Sequence, residues 1–312
     1  MISITKTRHI NIGWIDHSYV AFITAVTLAR HKTISRKTRA IPFVIEQNKL
    51  GNTIPNNSKD VYYAIGSFSD SDIETIITKR CRVSIIGKLY GKRFGTIKRP
   101  TKIGTVKIYP VSKERQQGLE YLSVLTNYFS VNSEISFFLK LMDVRSEMLV
   151  LLTVTDSWFD AFRLLTSSEI VSTPDDVSKV IDYIKKIKNY NQRLSEFTSI
   201  VKNSVVAEGE NFVVLDFRNT SMSSKKAEII SKYLLQNRKT LFLIMESDPE
   251  GFIVNMLFRR NPVSKRMNTL QKLNTSITLI QDKGSMKVLK CRAESWNDML
   301  EKIETVARLL AH

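Results

Sequence analysis

Histidine is nearly absent from this chain. The four are His9, His17, His31 and the terminal His312, so none lies between positions 32 and 311. A metal cluster built from histidines on several strands is therefore excluded, because strands beyond the first helix have none to give. Cysteine is as scarce. Cys81 and Cys291 are the two, which sets aside a disulfide framework and a cysteine-rich zinc site. Glycine numbers 11, and no glycine-rich phosphate loop forms among them. No serine stands in a nucleophile elbow. The longest apolar runs, such as Met148 to Val154, are short. None approaches the roughly 20 residues that span a bilayer. The opening MISITKTRHINIGW lacks the apolar stretch of a secretory signal. A soluble, cytoplasmic protein is expected, with no membrane partner and no cofactor.

Acid is also in short supply. Lys and Arg total 47 against 30 Asp and Glu, for a net charge of +17. Such an excess favours polyanionic partners through counterion release. It is also unevenly spread. Thr75 to Lys113 holds 11 Lys or Arg and no acid, and Gly251 to Gln281 is a second acid-free stretch, with Arg259, Arg260, Lys265, Arg266 and Lys272. Blocks of one sign point to surfaces rather than to evenly salted faces.

With 312 residues, 43% of them hydrophobic, the chain can build roughly two domains. The first half alternates strand and helix patterns. Strands are expected at 10–15, 41–45, 61–65, 83–86 and 106–109, with helices at 19–30 and from Ser69-Asp70 onward, capped by Asp70 or Ser71. Long helices follow at 112–129, 133–142 and 147–165. This alternation predicts a mainly parallel α/β sheet covered on both faces. A lysine-rich stretch, 175–201, reads as one connecting helix with a thin apolar stripe. The remainder reads as a smaller α+β unit. It has strands at 212–217, 240–245, 252–258, 276–280 and 286–291, and helices at 223–236 and after Pro262. A last helix is opened by Ser295 and Asp298. Trp296 and Met299 could seat a partner or pack in the core. The expected domains are 1–172, 173–208 for the connecting helix, and 209–312.

Two acids merit attention as metal ligands. Asp16 follows the first strand, where carboxylates of α/β folds often sit. Asp156 follows an apolar stretch and could be partly buried. Either could equally be a helix cap or a satisfied polar residue.

The order of these elements resembles the DHH phosphoesterase superfamily, in its RecJ-like branch. The resemblance implies a metal-bearing α/β domain, a connecting helix and a DHHA1-like substrate-binding domain. The first family motif, His-x-Asp-x-Asp-Gly, corresponds to Trp14-Ile15-Asp16-His17-Ser18-Tyr19, with Asp16 kept and its histidine, second aspartate and glycine lost. A second motif, an Asp ending a strand, falls near Gly66. The Asp-His-His signature corresponds to Gly87-Lys88-Leu89, and a later Asp to Asp156. Two surviving carboxylates are too few for the paired metals of the active family. Phe258-Arg259-Arg260 matches the family's arginine-ending strand, and Lys283-Gly284-Ser285 stands where a glycine-rich turn is expected.

In archaea and eukaryotes one such branch lost its nuclease and became a subunit of the replicative helicase, joined to GINS and the MCM ring. The resemblance therefore implies a non-catalytic, nucleoid-associated subunit that binds GINS, MCM and single-stranded DNA. The residues implied in DNA binding are Lys88, Lys92, Arg93, Lys98, Arg99, Arg259, Arg260, Lys265 and Arg266. Tyr90 and Phe94 are candidates for base stacking. The alternatives are an exonuclease or oligonucleotide phosphatase with an altered metal site, or a stand-alone single-strand binder in repair.

Overall fold

The computed structural model describes residues 9–36, 38–46, 53–111, 118–235, 240–248, 250–257, 277–282 and 286–311. They form two compact units. One comprises Met1–Leu152 with Ser157–Ile187, the other Thr153–Asp156 with Lys188–His312. Among the described residues no helix is long and apolar enough to cross a membrane.

The first unit holds a six-stranded sheet. Its strands are β1 (His9–Ile15), β2 (Arg39–Ile45), β3 (Val61–Ser69), β4 (Arg82–Tyr90), β5 (Thr101–Ile103) and β6 (Val106–Pro110). The order is β2-β1-β3-β4-β6-β5, parallel throughout except for the antiparallel edge strand β5. The inner strands are apolar on both faces, as a sheet covered on both sides requires. One face packs Ala64, Phe68, Val83, Ile85, Val106 and Ile108 against helix α2 (Asp70–Thr78) through Ile73 and Ile76. The other carries Ile12, Trp14, Ile65 and Ile86, all fully buried. Helix α1 (Tyr19–Arg36) buries residues right round its circumference, from Ala21 and Phe22 to Leu28 and Ala29. That is the pattern of a helix enclosed by its neighbours.

Four further helices lie wholly or mostly in the first unit. They are α3 (Leu119–Phe129), α4 (Ile135–Asp143), α5 (Arg145–Thr155) and α6 (Trp158–Thr166). Arg30 of α1 fastens this group from within. Its Nε donates to Glu134 Oε2 at 2.8 Å, and its Nη1 donates to the carbonyls of Leu165 and Val171 at 2.9 and 3.0 Å. The guanidinium also lies over the Phe137 ring.

The single helix expected at 147–165 is two helices. Asp156 takes a left-handed conformation, φ 53°, and breaks the run between α5 and α6. The connecting helix expected over 175–201 is likewise divided. A 3₁₀ turn (Pro174–Asp176) leads into α7 (Val177–Ile187), and α8 (Tyr190–Asn203) follows after Asn189 at φ 49°. Asp and Asn are the residues that enter this conformation at least cost. The cap of α2 is Ser69, not Asp70 or Ser71: its hydroxyl accepts the Asp72 N–H, and Asp72 returns a bond to the Ser69 backbone.

The second unit also has a six-stranded sheet. Its strands are β7 (Val205–Glu208), β8 (Phe212–Asp216), β9 (Thr240–Asp248), β10 (Gly251–Leu257), β11 (Ile277–Asp282) and β12 (Met286–Arg292). The order is β11-β12-β10-β9-β8-β7, antiparallel except for β8 with β9. Helix α9 (Ser224–Leu234) belongs to this unit, and α10 (Trp296–Ala311) covers the core of Val214, Phe242, Val254, Met256 and Leu289. Neither β5 nor β7 is expected from the sequence, being three and four residues long.

Candidate functional site

Ligands of open α/β sheets gather beyond the carboxyl ends of the strands, where the winding reverses. Here β2 and β3 flank β1 on opposite sides, so that point lies between β1 and β3. Of the residues matched to the family motifs, those on β1, β3 and β4 lie on these adjoining strands. Trp14 is registered with Ile65, and Gly66 with Gly87 on the next strand.

Trp14 is fully buried. Its indole stacks on Phe162 at 5.4 Å and 16°, and meets Phe22 edge-on at 5.3 Å. Apolar rings thus surround the position expected by resemblance to start the motif, and contacts of this kind contribute about 0.5–1.5 kcal/mol per pair beyond area burial. Asp16 donates its N–H to the Ile45 carbonyl at 2.9 Å, and its part-exposed carboxylate lies 3.5 Å from His17 Nε2. Ser18 closes the turn into α1, its N–H donating to the Ile15 carbonyl and its own carbonyl accepting from Phe22.

Gly66 and Gly87 are constrained more strictly. A Cβ on Gly87 would come within 1.9 Å of the Gly66 carbonyl oxygen, which is backbone and cannot swing aside. A Cβ on Gly66, at φ 151°, would strike Ile15 Cγ1 at 2.1 Å. The Gly66 oxygen also accepts the Tyr121 hydroxyl at 2.9 Å. Burial pushes the Tyr121 phenol well above its usual range, so it stays a proton donor. Strand β4 does not end at Ile86. Gly87, Lys88 and Leu89 lie within it, and Leu89 is buried on the α2 face.

Lys88 points to the other face, where its amine sits 3.3 Å from Oε1 of the buried Glu120. Glu120 Oε2 accepts the Gly118 N–H at 2.9 Å. Glu120 and Tyr121, in the first turn of α3, are missed by sequence reasoning. The signal that could have found them is their place in the first turn of a helix that follows a strand.

Asp156 belongs to the second unit and is exposed, not partly buried; its carboxylate pairs with Lys226 at 2.7 Å. Among the described residues no group of three or more His, Cys, Asp or Glu could hold a metal ion.

The basic segment after β4 is a surface loop. Asp70 holds it, accepting the N–H groups of Arg93 and Phe94 at 3.0 and 2.8 Å, and these bonds lower the Asp70 pKa. Lys92, Lys98 and Arg99 are exposed with no carboxylate partner among the described residues, whereas Arg93 pairs with Glu74 at 3.1 Å. Tyr90 is exposed, but Phe94 is in the core and cannot stack on a base. Arg259, Arg260, Lys265, Arg266 and the turn at 283–285 lie outside the described residues. In the second unit Met299 is fully buried. Trp296 packs against Phe252 and under the Arg218 guanidinium, which Asp216 holds at 2.8 Å, so core packing accounts for both apolar groups.

No protein-family model and no curated protein sequence matches the chain. Solved structures match it in fold. The crystal structure of RecJ in complex with Mn2+ from Thermus thermophilus superposes with a TM-score of 0.52 at 11% identity, over 96% of this chain and 52% of that one. The chain therefore spans about half the length of that protein. A pGpG-specific phosphodiesterase, PggH, from Vibrio cholerae matches with a TM-score of 0.47 at 12% identity, covering 97% and 99% of the two chains. CDC45 from Entamoeba histolytica matches with 0.40 at 8%, covering 98% and 96%. The fold of this chain is therefore similar to that of the Thermus RecJ. At these identities the likeness is one of fold.

Proposed function

We propose that this chain is a RecJ-like protein that binds single-stranded nucleic acid without hydrolysing it. The backbone approach of Gly66 to Gly87 carries the reading. Two positions matched to metal-binding side chains have no room for any side chain, and a third is filled by the buried Trp14 indole. The manganese bound by the Thermus protein would meet no comparable set of donors here. Two-metal hydrolysis needs both ions to hold the attacking and leaving oxygens. What remains is a basic scaffold, with the net charge of +17 gathered into blocks and the 92–99 loop held open to solvent by Asp70.

The motif resemblance extends the proposal to an assembly role in DNA replication, with docking on GINS and through it on the MCM helicase. A scaffold kept whole after its catalytic groups are lost serves something other than hydrolysis.

Fluorescence anisotropy with a labelled dT 20-mer tests the binding reading. Affinity is expected to fall steeply with salt, with a log–log slope of about −0.7 per phosphate contact. Binding indifferent to salt contradicts it. For the assembly role, the chain is expected to co-elute with GINS subunits of its own organism in gel filtration. Separate elution at micromolar concentration leaves a free single-strand binder.

A further inference from the structure

The edge of the first sheet carries an arrangement that neither packing nor the motif positions account for. Val106 and Ile108 of β6 face the α2 core, so Lys107 and Tyr109 face the opposite side. On the edge strand, Lys102 is registered directly against Lys107. Like charges opposite one another destabilise a strand pair. Neither lysine has a carboxylate partner among the described residues, and both are exposed. Beside them Tyr109 meets two rings from the end of α3, Phe129 at 4.8 Å and Tyr128 at 5.7 Å. Phe129 is buried, while Tyr128 is 49% exposed. Two cations and an open aromatic step therefore share one face, and Lys102, Lys107 and Tyr109 of it lie inside the acid-free stretch from Thr75 to Lys113.

We propose that this face, made by Lys102, Lys107, Tyr109 and Tyr128, seats single-stranded nucleic acid, with Tyr128 stacking on a base and the lysines taking backbone phosphates. It rests on the single-strand-binding reading and gives that reading a location distinct from the 92–99 loop. A single strand fits both halves of the surface. Every base offers a π-face to the tyrosine, and successive phosphates answer the unpaired lysines. A duplex keeps its bases inside and offers the rings nothing.

The full chain is titrated with a labelled dT 20-mer, its abasic counterpart and a duplex of equal length, with thermal melting as the check on folding. Tyr128→Ala is expected to weaken dT 20-mer binding about tenfold and to leave the abasic strand unaffected. Lys102→Ala with Lys107→Ala should weaken both strands and reduce the log–log salt slope by about 1.4. Wild-type affinity in both variants, alongside salt-sensitive wild-type binding, overturns this location and leaves the broader reading standing. The lysines would then serve only to keep the edge strand from pairing. No binding by the wild-type chain overturns both. Equal competition by polyglutamate makes the face a seat for acidic protein and also overturns the assignment.

Discussion

Gly87→Asp, which places an aspartate at the position that resembles the start of the Asp-His-His signature, is expected to unfold the first unit locally rather than to create a metal ligand. The new Cβ would lie 1.9 Å from the Gly66 carbonyl oxygen, and that oxygen is held by the buried Tyr121 hydroxyl. Relief requires β3 and β4 to separate in the middle of a parallel ladder registered from Val61↔Arg82 to Ser69↔Tyr90. Overpacking costs about 1–3 kcal/mol where side chains can yield. Here backbone must yield, so a loss of about 3 kcal/mol or more is expected in urea denaturation. Gly87→Ala should lose nearly as much, because the clash begins at Cβ. A Gly87→Asp chain that melts like the wild type would show that the two backbones part easily, and the account of this site would then be wrong.

The second large effect is expected at Arg30 and Glu134. Both are buried, and the guanidinium also donates to two backbone carbonyls. Removing one member of such a pair leaves a charge out of water with no counter-charge, which costs about 3–5 kcal/mol. Arg30→Ala and Glu134→Ala should each lose that much in thermal or urea unfolding. Arg30→Met combined with Glu134→Leu should lose less than the sum of the single changes, since no lone charge remains. Strict additivity of the two single losses would mean that the residues act separately.

Much of the fold is legible in the sequence. The apolar strand cores at Ile10–Ile15 and Val83–Ile86, and the all-round apolar α1, follow from residue type alone. The helix breaks do not. The periodicity of 147–165 continues through Asp156, and only its left-handed backbone divides the run. Asn189 does the same between α7 and α8. Phe94 shows another limit. In a run of lysines and arginines it reads as a surface ring, yet Asp70 folds the loop back and sends it into the core. The sequence reports that motif residues are absent. It cannot report that Gly66 and Gly87, inside β3 and β4, have no room for a side chain, because that depends on two strands brought together by the sheet. The Lys102–Lys107 pairing is hidden for the same reason, since β5 is three residues long and marked by no periodicity.

One incubation tests the central claim most directly. Purified wild-type chain is mixed with a 5′-labelled single-stranded DNA in buffer containing manganese at low salt, and the same samples are read on native and denaturing gels. A retarded band on the native gel and an intact strand on the denaturing gel are expected. Progressive shortening of the strand, abolished by Asp16→Ala, would contradict the account and restore the chain to the hydrolases.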